Sequence, residues 1–320
     1  MLFLFCIPVI YSNANPLDTL VKKAAVKEIY FPELKQEPGS RDSSSFVLPF
    51  SKVGNLLLIK AKADSTEGNF VLDTGCPGLV LNITYFRSYH ITESDAENLG
   101  ATGPLATNEQ IWIRNFHLGT MEESNVKANL ANLGNIENSK GIKVLGLIGL
   151  QFLKNCELII DYQKNLMYFH IISRKESGTY KSDLLNDAAA YHTIPFEIIS
   201  NRIIVKTEMA GKKRRFVIDC AAETNVLDSR LPDKIFESLS ITGKVLVVGV
   251  GNTKVEAVKG NLANFNIGDR IIKDMPVLVT NLENTCFTQG GCVDGVLGLD
   301  NLSVKKIGFN FATLKMFIWK

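Results

Sequence analysis

Apolar residues in this chain come in short runs of four to eight, rich in Val, Ile and Phe and broken by Gly, Asn, Asp and Ser. That rhythm predicts a mostly β protein, because strands have about that length and those four residues supply the geometry of turns. Two stretches, "LLLIKAKADSTEGNFVL" (56–72) and "IIVKTEMAGKKRRFVI" (203–218), read as hairpins that each deliver an aspartate just past the second strand. "SDAENLGATG" (94–103) and "LPDKIFESLS" (231–240) have helical character, the second more than the first. The basic run "GKKRR" (211–215) sits between two strand-like segments and reads as a solvated hairpin turn.

The pattern occurs twice. "VLPFSKVGNLLLIKAKADSTEGNFVLDTGCPGLVLN" (47–82) aligns without a gap on "TIPFEIISNRIIVKTEMAGKKRRFVIDCAAETNVLD" (193–228), at a constant offset of 146. Later blocks align at an offset of 149: "NFHLG" (115–119) on "NFNIG" (264–268), and "GLIGLQFLKNCELIIDYQKNLMYF" (146–169) on "GVLGLDNLSVKKIGFNFATLKMFI" (295–318). Two ordered blocks in the same order establish an internal duplication. The expected organisation is a signal peptide over 1–14, an N-terminal extension over 15–45, a first lobe over 46–171, a polar linker over 172–190 and a second lobe over 191–320.

The leader expectation rests on the apolar run Leu2–Ile10, followed by Ser12-Asn13-Ala14 as a small-x-small cleavage site. It implies an exported protein, placed in a periplasm, on a cell surface or in the medium. That run is too short to span a bilayer as a helix, so no stable membrane span is expected. A net charge of +2 gives no general pull toward nucleic acid. Without Cys6, five cysteines remain (Cys76, Cys156, Cys220, Cys286 and Cys292), and an odd number cannot all pair. Cys286 and Cys292 bracket the short loop "FTQGG", which can close into a disulfide in an exported protein. No cysteine pair has zinc-ligand spacing and the four histidines are scattered singly, so each is read as a surface or hydrogen-bonded structural residue.

Two copies of one fold can pack about a pseudo-twofold axis with equivalent loops facing each other. The equivalent loops carry Asp73 and Asp219. Two carboxylates at such an axis cannot both ionise cheaply, so they share a proton. One can then act as general base toward a water while its protonated twin polarises a carbonyl, with no cofactor or metal required. Gly75 leaves room for the opposite loop, and the Thr74 hydroxyl can tie its loop to the facing one. Leu147-Ile148 and Val296-Leu297, each pair between glycines, are expected to pack beneath the loops.

"VLDTG" followed by "GLIGLQFL" and an Asp-containing strand resembles the aspartic peptidases of the pepsin and retropepsin clan, more narrowly the exported bacterial retropepsin-like proteins with two repeats in one chain. The resemblance covers residues 47–170 and 193–319. It implies a two-lobed acid-protease barrel fold with short helices, acting as an endopeptidase. Asp73 and Asp219 would be its catalytic pair, with a peptide or protein substrate bound extended between the lobes. A monomer suffices, since one chain supplies both halves of the site.

The second loop, "IDCAAETN", departs from the family pattern. Cys220 stands where Thr is expected, and a thiol is a poor hydrogen-bond partner. Ala221 stands where Gly is expected, at a large cost only if the position needs positive φ. Support for Asp219 is therefore expected to be weakened. Cys76 and Cys220 are expected near each other at the axis, as small buried thiols ahead of a disulfide or a metal pair. The first-lobe segment 99–112 lacks a flap tyrosine, its Trp112 reads as a core residue ahead of a substitute for that tyrosine, and "VGVGNTKVEAVKG" (248–260) is the better hairpin to cover a cleft. Two rival readings follow. One is a non-catalytic peptide- or ligand-binding protein on the same fold, suggested by the Asp-Cys-Ala loop. The other is a structural β protein whose aspartates are ordinary turn residues.

Overall fold

A computed structural model of the chain describes residues 2–4, 9–11, 26–33, 44–93, 98–100, 103–104, 109–248, 254–283, 292–299, 302 and 305–320. It is mostly β, with barrel-like sheets and few short helices. In the first copy, Leu56–Ala63 and Thr66–Leu72 form the expected hairpin. Gly146–Ile148 runs parallel to the second of these strands and antiparallel to Leu79–Asn82. Leu79–Asn82 in turn lies parallel to Met121–Ala131. Met121–Ala131 pairs with Glu109–Leu118, which returns to touch the first strand at Ala63 and curls the sheet toward closure.

The second copy repeats this order: Arg202–Met209, Lys212–Ile218, Gly295–Leu297, Asn225–Asp228, Arg270–Thr280 and Lys254–Ile267. It too closes on its first strand, through Glu208 and Asn266. The first strands of the two copies share one burial pattern, four buried residues followed by alternation, because both begin in the core and end at a surface turn. Edge-to-face aromatic pairs recur as well. Phe70 meets Phe116 at 5.6 Å, and their twins Phe216 and Phe265 meet at 5.1 Å.

The lobes join through a sheet in which Tyr191–Ile199, Lys315–Trp319, Lys306–Asn310, Cys156–Asp161, Leu166–Ile171 and Ser45–Pro49 are neighbours in that order. Its two central strands come from different copies and pair antiparallel, with Ile159 opposite its own twin Gly308. The pseudo-twofold axis passes through that rung. The connector runs over this sheet, burying Leu185 against Ile159, Tyr191 and Phe317.

Backbone conformations repeat with the sequence. Left-handed residues occur in twin positions at Asp64 and Ala210, Gly119 and Gly268, Asn125 and Asp274, and Asn165 and Leu314. Asn is among the non-glycine residues that best tolerate this region, and leucine is a poor choice there. Leu314 holds φ 54° because its turn joins the paired strands Lys306–Asn310 and Lys315–Trp319 and its carbonyl accepts the Phe196 N–H at 3.0 Å, as Asn165 accepts that of Phe50 at 2.9 Å. Leu314→Asn is expected to raise stability by about 1 kcal/mol, measurable by chemical denaturation.

Several expectations are corrected. Residues Asn98–Gly100, within the stretch read as helical, form a strand paired with Gly103–Pro104, so sheet pairing overrides local propensity there. The second stretch holds one helical turn, Asp233–Phe236, before the strand Leu239–Val248 begins. A helix over Gly134–Lys140, closed by Gly141 at φ 66°, had no sequence expectation. The turn at 210–211 leaves Lys212 and Lys213 exposed, but Arg214 pairs with Asp294 at 3.2 Å and the Arg215 N–H donates to Asp294 at 2.7 Å. Trp112 is 55% exposed, because on its alternating strand Ile111 and Ile113 take the core face. The tip of the 248–260 hairpin lies outside the described residues, as do parts of 99–112. Among the described residues no helix is long and apolar enough to cross a membrane.

Candidate active site

Asp73 and Asp219 each follow the second strand of their hairpin, and both are fully buried. Their backbone supports are twins. The Asp73 N–H donates to the Ile148 carbonyl at 2.9 Å and the Asp219 N–H to that of Leu297 at 3.0 Å. Each loop then folds back on its own carboxylate: Asp73 Oδ1 accepts from the Gly75 N–H at 2.9 Å, and Asp219 Oδ1 from the Ala221 N–H at 2.8 Å. Asp73 Oδ1 also takes the Cys76 N–H at 3.1 Å. Beneath the loops, Leu147 packs with Cys76 and Ala221, while Val296 packs with Ala222.

The loops are laced together by four reciprocal hydrogen bonds. Thr74 Oγ1 donates to the Ile218 carbonyl at 3.0 Å and accepts the Cys220 N–H at 3.0 Å. Cys220 mirrors it, with Sγ donating to the Leu72 carbonyl at 3.0 Å and accepting the Thr74 N–H at 3.2 Å. The expectation that Cys220 weakens the network on its side is therefore corrected. The thiol carries one donor and one acceptor role, as a hydroxyl does, and being buried between two backbone groups it has no competing solvent.

Ala221 is accommodated as well. It does not adopt positive φ, and its methyl group is buried among Cys76, Val80 and Leu147. Gly75 is different. A β-carbon there would sit 2.6 Å from Asp219 Cγ, so only hydrogen fits against the facing carboxylate. Cys76 and Cys220 are both free and buried, and form no disulfide. Cys292 is disulfide-bonded, while Cys286, its expected partner, lies outside the described residues.

Electrostatics couple the pair. Burial first, and then the charge of Asp73, hold the Asp219 carboxyl well above the ordinary carboxylate range. Asp73 lies within hydrogen-bond reach of Asp219, and Asp219 Oδ2 is buried and receives no N–H donor among the described residues. Two carboxylates can share such a contact only through a proton, so the arrangement suits one ionised and one protonated group. Among the described residues no group of three or more His, Cys, Asp or Glu side chains is placed to hold a metal ion.

Two further contacts cross the lobe boundary to the second loop. Asn55 Nδ2 donates to the Glu223 carbonyl at 2.7 Å, and Lys140 Nζ pairs with Glu223 Oε2 at 2.6 Å. The sequence reading also missed Arg202, which is 1% exposed and within electrostatic reach of both aspartates. The signal was available in the duplication, since at offset 146 this arginine replaces Leu56 in an otherwise apolar strand start.

Comparison with known proteins bears on this half of the site. No curated protein matches the chain in sequence. Among solved structures, basic 7S globulin from soybean aligns over 86% of this chain and 94% of its own, at 9% identity and a TM-score of 0.45. The aspartyl protease family model matches residues 205–301. The matched segment takes in Asp219, Cys220 and Ala221, so the part of the chain that carries the second aspartate is similar to aspartyl proteases.

Proposed function

We propose that the protein is an aspartic endopeptidase that hydrolyses peptide bonds in an extended substrate, with Asp73 and Asp219 as its catalytic pair. The observation that carries this reading is the meeting of two buried carboxylates on twin loops, with burial and the Asp73 charge holding the Asp219 carboxyl well above the ordinary carboxylate range. The ionised carboxyl takes a proton from a water as the water oxygen bonds to the peptide carbonyl carbon. The protonated carboxyl donates to the carbonyl oxygen. The resulting diol collapses, the C–N bond breaks, and the amine leaves with a proton returned from the pair. Thr74, Gly75, Cys220 and Ala221 hold the two groups in register.

The rival reading of a disabled, ligand-binding relative drew its support from the Asp-Cys-Ala loop. That support is weakened, because Cys220 completes the lacing and Ala221 does not adopt positive φ. Export is part of the proposal, and the disulfide at Cys292 favours an oxidising compartment.

The test is cleavage of unfolded casein from pH 3 to 8 by residues 15–320 and by a folded Asp73→Asn variant. Cleavage by the wild type and its loss in the variant are expected. Cleavage that survives in the variant would place the activity elsewhere, and a wild type that cuts nothing would return the binding-protein reading.

A further inference from the structure

Arg202 opens the strand Arg202–Met209, and the register that pairs Ile203 with Ile218 sets it across from Asp219 on the next rung. It shares a face with Ile204, which packs against Val217, Ala222 and Val296 beneath the second loop. Its twin Leu56 is equally buried, among Cys76, Leu147 and Ala221. One position of the duplication thus carries leucine in one copy and a cation in the other, in similar apolar surroundings. Burying a guanidinium there is costly unless negative charge lies nearby.

We propose that Arg202 is a positioning residue for the carboxylate pair, a buried cation that keeps one of the two aspartates ionised as the pH falls. The inference rests on the reading of Asp73 and Asp219 as a catalytic pair. The titratable groups around the guanidinium are Asp219 across its own hairpin and Asp73 and Cys76 on the first-lobe loop, while Cys220 lies beside both aspartates. The Lys140–Glu223 ion pair lies at the lobe boundary. Burial lowers the Arg202 pKa to about 10, and Cys76, Asp219 and Asp73 oppose that fall. Burial also pushes both thiols upward, so they stay neutral where a protease works, and the carboxylates are the groups left to answer the cation.

The experiment compares Arg202→Leu, which copies the twin position, with Arg202→Lys, which keeps the charge. Arg202→Gln stands in should the leucine variant not fold. Two readouts are taken across pH: casein cleavage, and infrared titration of the protonated-carboxyl band, assigned with Asp219→Asn. Loss of the cation is expected to move the acid limb and the carboxyl midpoint upward by about one pH unit. Activity one unit below the wild-type midpoint would then fall roughly tenfold, while Arg202→Lys stays near wild type. Superimposable profiles for the wild type and the neutral variant would overturn the inference, as would an equal shift in Arg202→Lys. If the wild type cleaves nothing, the protease reading fails by itself. The infrared midpoint still decides the role of Arg202, an unshifted value overturning it.

Discussion

Asparagine in place of Asp219 is expected to lower peptide cleavage by roughly 10²–10⁴-fold and, in the same variant, to stabilise the fold at neutral pH. The first effect follows from removing one member of an acid–base pair. The second follows from linkage. Asp219 is held above the ordinary carboxylate range by burial and then by the charge of Asp73, so the folded state grips its proton more tightly than the unfolded chain does. Between about pH 4, where an unfolded aspartate ionises, and the higher folded value, rising pH therefore favours unfolding. An asparagine has no proton to lose and escapes that penalty. Thermal midpoints measured at pH 4 and pH 7 should nearly coincide at the lower pH. At the higher pH the variant should lead by at least about 2 °C. A variant less stable than wild type at both values would mean that the carboxylate is held by favourable contacts rather than by enforced proximity.

Gly75→Ala is expected to abolish cleavage and to destabilise by about 1–3 kcal/mol, whereas Ala221→Gly at the twin position is expected to keep activity. The asymmetry lies in what each position faces. A methyl group on residue 75 would point into the Asp219 carboxylate, 2.6 Å from Cγ and 3.0 Å from Oδ1. Neither partner can move, because Asp219 Oδ1 is fixed by the Ala221 N–H and the Gly75 backbone is committed to Asp73. The methyl of Ala221 instead fills a buried apolar space beside Cys76 and Leu147. Its removal should cost about 0.4–1 kcal/mol, much of it through added freedom of the unfolded chain. Urea denaturation with a casein assay on both variants separates the two outcomes. Equal loss of activity in both would show that the loops demand symmetry rather than specific space.

Much of this was legible beforehand, for identifiable reasons. The duplication is written as two ordered blocks, and the fold repeats it down to the left-handed turns at Asn125 and Asp274. The hairpins were readable because alternation and turn residues act over neighbouring positions. Other features were not, because they depend on the facing chain. Whether Cys220 could replace a hydroxyl was decided by Leu72 and Thr74, which lie across the lobe boundary. Trp112 was misplaced because a strand's period gives two faces without saying which one meets the core.

By itself, then, the sequence determined a β-rich, two-copy chain with one aspartate at the same strand end in each copy, since periodicity and repetition are properties of order along the chain. The tertiary structure decided that Cys220 completes the lacing, that Ala221 is tolerated where Gly75 is required, and that Arg202 is buried beside the pair. Hydrogen-bond partners, free space and the cost of a buried charge are set by residues about 146 positions away, which only folding brings within a few ångströms.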